Sequence, residues 1–210
     1  RFLANKYNIE IEETEQSHQE KEKANARESL YLVNQFAQES FTQDLWEFPE
    51  GKAIGLSYFR ERGFTDETIR LFGLGYAAQQ RDRFYKKVTK AGYAENYTLE
   101  TGLIIKNERG AVDRFRGRVI FPIRSMAGRV QGFGGRILSA TLKTAKYINS
   151  PETLFFKKGS NLYNLDLARK LSNKIDHVYL VEGYMDVVGL SKNGIENVVA
   201  NLGTSLTDRQ

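Results

Sequence analysis

The segment 178–200 limits the fold more than any other part of the chain. An apolar strand over residues 177–181 runs into a helix over 185–193, and a second apolar strand follows at 198–200. A strand, a helix and a strand in so short a span make a crossover, so the two strands are parallel and their connection is right-handed. The apolar run VYLV predicts a buried strand. In open sheets of this kind chemistry gathers beyond the carboxyl ends of the strands. Glu182 stands there, followed by Gly183, with Asp186 in the first turn of the helix. A carboxylate in that place suits binding Mg²⁺ or moving a proton. Many strands also end in an acid, and Asp186 equally favours a helix N-terminus through the dipole. The second junction, VANLGTSLT at 199–207, offers Gly203, Thr204 and Ser205 at a helix start, a site for phosphate.

Upstream, residues 10–23 are polar, charged and without periodicity, which predicts a linker. Leu30, Val33, Ala37, Phe41 and Leu45 recur near 3.6 spacing and predict a helix over 24–48. Further helices are expected at 53–62, at 66–72 behind a Thr65 cap, at 81–91, at 93–100 and, with Leu162, Leu165, Ala168 and Leu171 on one face, at 161–172. Residues 73–77 read as extended. From 103 the pattern turns to strands, with a hairpin of 118–124 and 129–137 around Ser125–Gly128. The run Gly132-Phe133-Gly134-Gly135 inside a strand predicts either a bulge or a close approach to the backbone. The fold class is α+β: a mixed N-terminal part with an antiparallel, hairpin-rich sheet, then an α/β part with a parallel sheet.

Charge is uneven. Ten basic residues and two acids lie between Lys106 and Lys146, a local charge of +8 in a chain whose total is +5. Seven of the ten are arginines, the residue suited to bidentate phosphate contacts. Arg114, Arg116 and Arg118 alternate, which on an extended strand puts them on one face. A polyanion partner is expected, with a solvated sheet face as the plainer reading. The absence of cysteine excludes disulfides, thiolate zinc sites and cysteine nucleophiles, and fits a reducing compartment. No apolar run approaches the roughly 20 residues of a membrane helix, so no membrane partner is expected. His18 and His177 read as structural.

The two junctions, VEGYMDVV and NLGTSLT, resemble the start of a toprim domain, the metal-binding module of bacterial primases, topoisomerases and some nucleases. RFRGRVIFPI, GRVQGFGGRIL, KYINSPET and FFKKGSNLYNL resemble the catalytic core of bacterial DnaG-type DNA primases, in the family's order and spacing. The resemblance runs from about Phe59 to Gln210. It implies residues 1–23 as a linker or remnant of an upstream zinc-binding domain, 24–158 as the N-terminal part of the core and 159–210 as a truncated toprim domain.

The implied activity is synthesis of short RNA primers on single-stranded DNA by metal-assisted nucleotidyl transfer, in the cytoplasm at the replisome. By the resemblance Glu182 is the toprim glutamate and a Mg²⁺ or Mn²⁺ ligand, and Asp186 the second catalytic acid. Arg114, Arg116, Arg136, Lys146, Tyr147, Asn149, Lys158, Gly203 and Thr204 match the nucleotide and template groove. Tyr147 suits stacking on a base, and equally a rim or core position. The partners implied are single-stranded DNA, ribonucleoside triphosphates and a replicative helicase reached through a further C-terminal domain; zinc is implied only upstream. The family pattern places an Asp-x-Asp motif on the next toprim strand, and none follows residue 200 here. Both ends read as cut, with 1–8 as the end of a helix and Thr207-Asp208 as the start of one, and the fragment alone is expected to make no primers. The alternatives are another toprim enzyme (a topoisomerase, a nuclease or a phage-type primase–helicase) and a non-catalytic DNA-binding module.

Overall fold

The computed structural model describes residues 18–138, 144–171, 174–203 and 205–210. A long helix, α1 (His18–Trp46), opens it. It is already helical at His18, where the described residues start, so 18–23 of the expected linker are helical. Its predicted stripe is the buried one: Leu30, Val33, Ala37, Phe41 and Leu45 are each at most 4% exposed. A π-helical turn (Gly51–Leu56) leads straight into α2 (Ser57–Glu61), where the sequence reads as a single α-helix. In α3 (Asp66–Phe72) the Thr65 hydroxyl accepts from the Thr68 amide at 3.2 Å and two acids occupy the positive end of the dipole. The short strand β1 (Gly75–Ala77) and helices α4 (Arg83–Lys90) and α5 (Glu95–Glu100) follow.

Strands β2 (Ile104–Asn107) and β3 (Gly110–Asp113) form one antiparallel pair. The main sheet is antiparallel in the order β1, β4 (Arg118–Arg124), β5 (Val130–Ile137), β6 (Tyr147–Asn149). The hairpin turns where the sequence places it, and its register shifts between Ile123 and Arg124, opposite Gln131 at the edge of the glycine run. The glycines also serve close approach. A Cβ built on Gly132 would meet Ser150 and Phe156, one on Gly134 the ring of Tyr184, and one on Gly135 Phe115 and Arg118.

The last part begins with α6 (Leu165–Ala168) and a 3₁₀ turn (Arg169–Leu171). The helix expected from residue 161 starts later because Tyr163 forms an antiparallel bridge to Ala200, and extended backbone cannot be helical. Next come β7 (Tyr179–Val181), α7 (Tyr184–Ser191) and β8 (Val198–Ala200), with β7 and β8 parallel as predicted. β8 is fully buried, but Val178, Tyr179 and Leu180 of the neighbouring run are 54%, 48% and 46% exposed. The expected burial of β7 is therefore not met: β7 pairs only with β8 among the described residues, and its apolar side chains lack a covering layer. Residues 207–210 form a turn rather than a helix start. The Thr207 hydroxyl donates to Gly159 O instead of accepting from a helix amide, and the Gln210 side chain donates to Lys158 O and Asn161 O. One apolar core joins the two parts, with Phe59, Phe72, Phe121 and Phe156 packed with Tyr163, Tyr184, Val187 and Val198. No helix among the described residues is long and apolar enough to cross a membrane.

Candidate active site

Because β7 and β8 are parallel, their carboxyl ends fall on one edge, and the loops 182–183 and 201–203 lie side by side. Glu182 is exposed at the end of β7 and Asp186 is exposed in the first turn of α7. Gly183 lies so close to this turn that a Cβ built on it would be 3.4 Å from Asp186 Oδ2. A cavity of about 340 Å³ opens there, with Glu182, Asp186, Asn201 and Gly203 on one side and Arg136, Tyr147 and Asn149 on the other.

The second wall comes from the main sheet. Arg136 pairs with Tyr147 across β5 and β6, and its Nη1 donates to the Tyr147 hydroxyl at 3.0 Å. No carboxylate of the described residues lies within ion-pair distance of Arg136, so none of them neutralises its charge. Asn149 connects the two walls. Its Nδ2 donates to Leu202 O at 2.8 Å and its Oδ1 accepts from the Tyr184 hydroxyl at 2.7 Å. The Tyr184 ring stacks on Phe121 and meets Tyr163 edge-on, and burial pushes its hydroxyl far above the ordinary tyrosine range. It is a neutral donor, fixed in place.

The predicted residues therefore divide. The structure brings Arg136, Tyr147, Asn149, Glu182, Asp186 and Gly203 to one cavity; Arg114, Arg116, Lys146 and Lys158 are not among its lining, and Thr204 lies outside the described residues. Arg114, Arg116 and Arg118 do not share a strand face, because residues 114–117 are a turn that closes on Gly117 at φ +67°. Arg114 Nε donates to Gly102 O at 2.7 Å. Arg118 is 5% exposed and donates to the carbonyls of Gly135, Ala145 and Lys146 and to the Thr144 hydroxyl. Arg124 donates to Phe72 O, and Arg129 pairs with Glu28 at 2.7 Å. Much of the basic block thus holds the fold together, while Arg116 and Lys146 stay exposed. His177 is exposed and its Nδ1 lies 2.9 Å from the Asp176 carboxylate; the side chain of His18 lies outside the described residues.

Sequence reading missed Tyr184 and Asn201. Only Tyr184 left a signal, in the glycine run that makes room for its ring. A second, more apolar cavity of about 420 Å³, lined by Leu162, Leu165, Val178 and Val199, lies by the amino end of β7, away from the strand ends where chemistry gathers. Among the described residues no three acids or histidines cluster as a complete metal site.

Comparison with known proteins gives a consistent result. The family described as DNA primase catalytic core, N-terminal domain, matches residues 41–169, and the toprim domain family matches 176–210. The chain is 42% identical over 210 residues to a DNA primase of Clostridium acetobutylicum, covering all of this chain and 34% of that protein. It is 48% identical over 180 residues to a DNA primase of Deinococcus radiodurans, covering 85% of this chain and 30% of that protein. The chain thus spans about a third of the length of the curated relatives it matches. Among solved structures, the RNA polymerase domain of Mycobacterium tuberculosis primase DnaG, in complex with a double-stranded DNA oligomer with a 6-nucleotide overhang, superposes with a TM-score of 0.82 at 34% identity, over 87% of this chain and 56% of that one. A DnaG primase catalytic domain bound to single-stranded DNA superposes with a TM-score of 0.81 at 38% identity, over 89% and 57%.

Proposed function

Since the chain belongs to the DnaG family of DNA primase catalytic cores, we propose that it forms one wall of a nucleotidyl-transfer centre that makes short RNA primers on single-stranded DNA. The observation that carries this is the shared cavity: two exposed carboxylates, Glu182 and Asp186, open onto the same space as Arg136, an arginine with no acidic partner among the described residues. Joining a 3′-hydroxyl to the α-phosphate of a ribonucleoside triphosphate demands positioning and charge neutralisation more than covalent chemistry. Arg136 would hold phosphate oxygens, with Gly203 lining the same cavity. Exposed Arg116 and Lys146 would carry the template phosphates, with Arg114 and Lys158 flanking them, and Tyr147 would offer its ring to a base. We assign 24–158 and 159–210 as the two parts of the core.

The donor set fits a divalent cation. Hard carboxylate oxygens are what Mg²⁺ takes, through one or two protein carboxylates plus substrate phosphates. Glu182 and Asp186 would hold Mg²⁺ or Mn²⁺, which when bound neutralises charge on the transferring phosphate. With these two acids at the cavity among the described residues, the ligand set would be completed by the Asp-x-Asp motif of the longer protein, and this chain alone would bind single-stranded DNA weakly without making primers. A cysteine-ligated zinc site and a helicase-binding surface would likewise belong to other parts of the longer protein.

In the longer protein, Glu182→Gln should leave DNA binding intact and lower template-dependent ribonucleotide incorporation by about a hundredfold or more, the order lost when a charge-stabilising group is removed. Synthesis at the unaltered rate would overturn the assignment.

A further inference from the structure

We propose that Tyr58 is a positioning residue that holds Arg136 on the cavity wall through its ring face while leaving the arginine's charge available to substrate. The proposal rests on the reading of the cavity as a nucleotide site.

Three observations carry it. First, Tyr58 reaches Arg136 from a distant part of the chain: α2 lies outside the basic block, yet Arg136 Cζ is 5.2 Å from the Tyr58 ring centroid. Arg62 Cζ lies over the same ring at 3.9 Å. Second, the Tyr58 hydroxyl is buried and has no hydrogen-bond partner among the described residues. A tyrosine retained for its hydroxyl would use it, since an unpaired buried hydroxyl is costly. What this residue supplies is its aromatic face. Third, among the described residues Arg136 has few polar contacts: Nη1 donates to the Tyr147 hydroxyl, Tyr147 places a second ring 5.5 Å from Cζ, and Nε is buried without a partner.

The physical consequence separates this device from an ion pair. A carboxylate would fix the guanidinium more firmly but cancel the charge an incoming phosphate needs. Ring faces attract a cation through their quadrupoles and leave its full charge in place. Tyr58 and Tyr147 thus keep Arg136 oriented and unneutralised at the edge of a cavity whose other wall is acidic.

The test uses the longer primase, with the KM for ribonucleoside triphosphates, kcat and thermal melting measured for Tyr58→Phe, Tyr58→Met, Arg136→Ala and the double variant Tyr58→Met/Arg136→Ala. Loss of a partly desolvated cation–ring contact corresponds to roughly a three- to tenfold change. Tyr58→Met should raise KM by about that factor with little change in kcat. Tyr58→Phe should restore KM to within about twofold of the unaltered protein, because it keeps the ring. In the Arg136→Ala background Tyr58→Met should have no further effect on KM. This cycle separates positioning from general destabilisation, which would lower melting and raise KM equally in both backgrounds. If Arg136→Ala raises KM but Tyr58→Met does not, or if the two effects multiply, the proposal fails and the nucleotide site stands. If Arg136→Ala leaves KM unchanged, the nucleotide site fails and the proposal with it.

Discussion

Gly134 lies directly against the ring of Tyr184: a Cβ built on the glycine would sit 2.5 Å from the ring carbons. Gly134 is in the central hairpin and Tyr184 opens the helix behind Glu182, so the contact sets how closely the sheet and the acidic junction approach. Phe121 and Tyr163 confine the ring from other sides, with centroids at 5.2 and 4.8 Å, which leaves it little room to move. Gly134→Ala is expected to destabilise the fold by about 1–3 kcal/mol, the usual cost of an extra group in a packed interior. Urea unfolding checks it; an unchanged midpoint would show that the ring shifts freely.

The hydroxyl of the same tyrosine makes a second, separable contribution. Tyr184→Phe keeps the ring and removes the donor to Asn149 Oδ1, leaving a part-buried amide oxygen without its partner. The expected loss is about 1–3 kcal/mol. Asn149→Ala also removes the bond to Leu202 O and should cost more, and the double variant should cost less than the two together, because the bond between Tyr184 and Asn149 is lost in both. Strict additivity in a double-mutant cycle would dissolve the link.

Asp113 provides a pH-dependent prediction. Its carboxylate, 6% exposed, accepts from the Phe84 and Tyr85 amides at 2.7 and 3.0 Å and so closes the first turn of α4. Burial raises its pKa to about 6, against the lowering effect of those two amides. The folded protein therefore holds a proton more tightly than the unfolded chain, whose Asp titrates near 3.8. The stability this proton confers is present below pH 3.8 and is lost as the pH rises through 6. Between pH 4.5 and 7 the unaltered protein should lose roughly 2 kcal/mol relative to Asp113→Asn, at about 1.4 kcal/mol per pK unit. Parallel urea curves for the two proteins across that range would rule this out.

What the sequence disclosed and what it hid follow from range. The βαβ unit, the hairpin, the Thr65 cap and the buried stripe of α1 rest on local periodicity and turn chemistry, and all are found. The positions of Glu182 and Asp186 follow from the parallel crossover, since topology alone puts strand ends on one edge. Arginine roles were not legible, because a guanidinium that ties carbonyls together and one that awaits phosphate look alike in a charge count. Alternation in RFRGR suggested a strand, but Gly117 closes a turn there. Tyr58 was invisible because its partner lies far along the chain, in β5. The exposure of β7 was hidden for the opposite reason: apolar composition records what a strand is built to face, whatever part of that cover the chain supplies.

That ambiguity among the arginines can be resolved by contrasting two of them. Arg116 is exposed in the turn before β4, whereas Arg118, two residues on, is buried and donates to three carbonyls and a hydroxyl that fix residues 144–146 beside Tyr147. Arg118→Ala should therefore act through stability, at about 2–4 kcal/mol, because one buried and three part-buried acceptors lose a charged donor at once. Any loss of DNA binding should follow its lowered melting temperature. Arg116→Ala should leave melting unchanged and weaken single-stranded DNA binding uniformly across sequences. Each phosphate contact on a single strand contributes about 0.7 to the slope of log affinity against log salt, so that slope should become shallower by about 0.7. Fluorescence anisotropy with a labelled oligonucleotide over a salt series measures it. An unchanged slope for Arg116→Ala would place the template path elsewhere and leave Lys146, exposed just before β6, as a cation to examine.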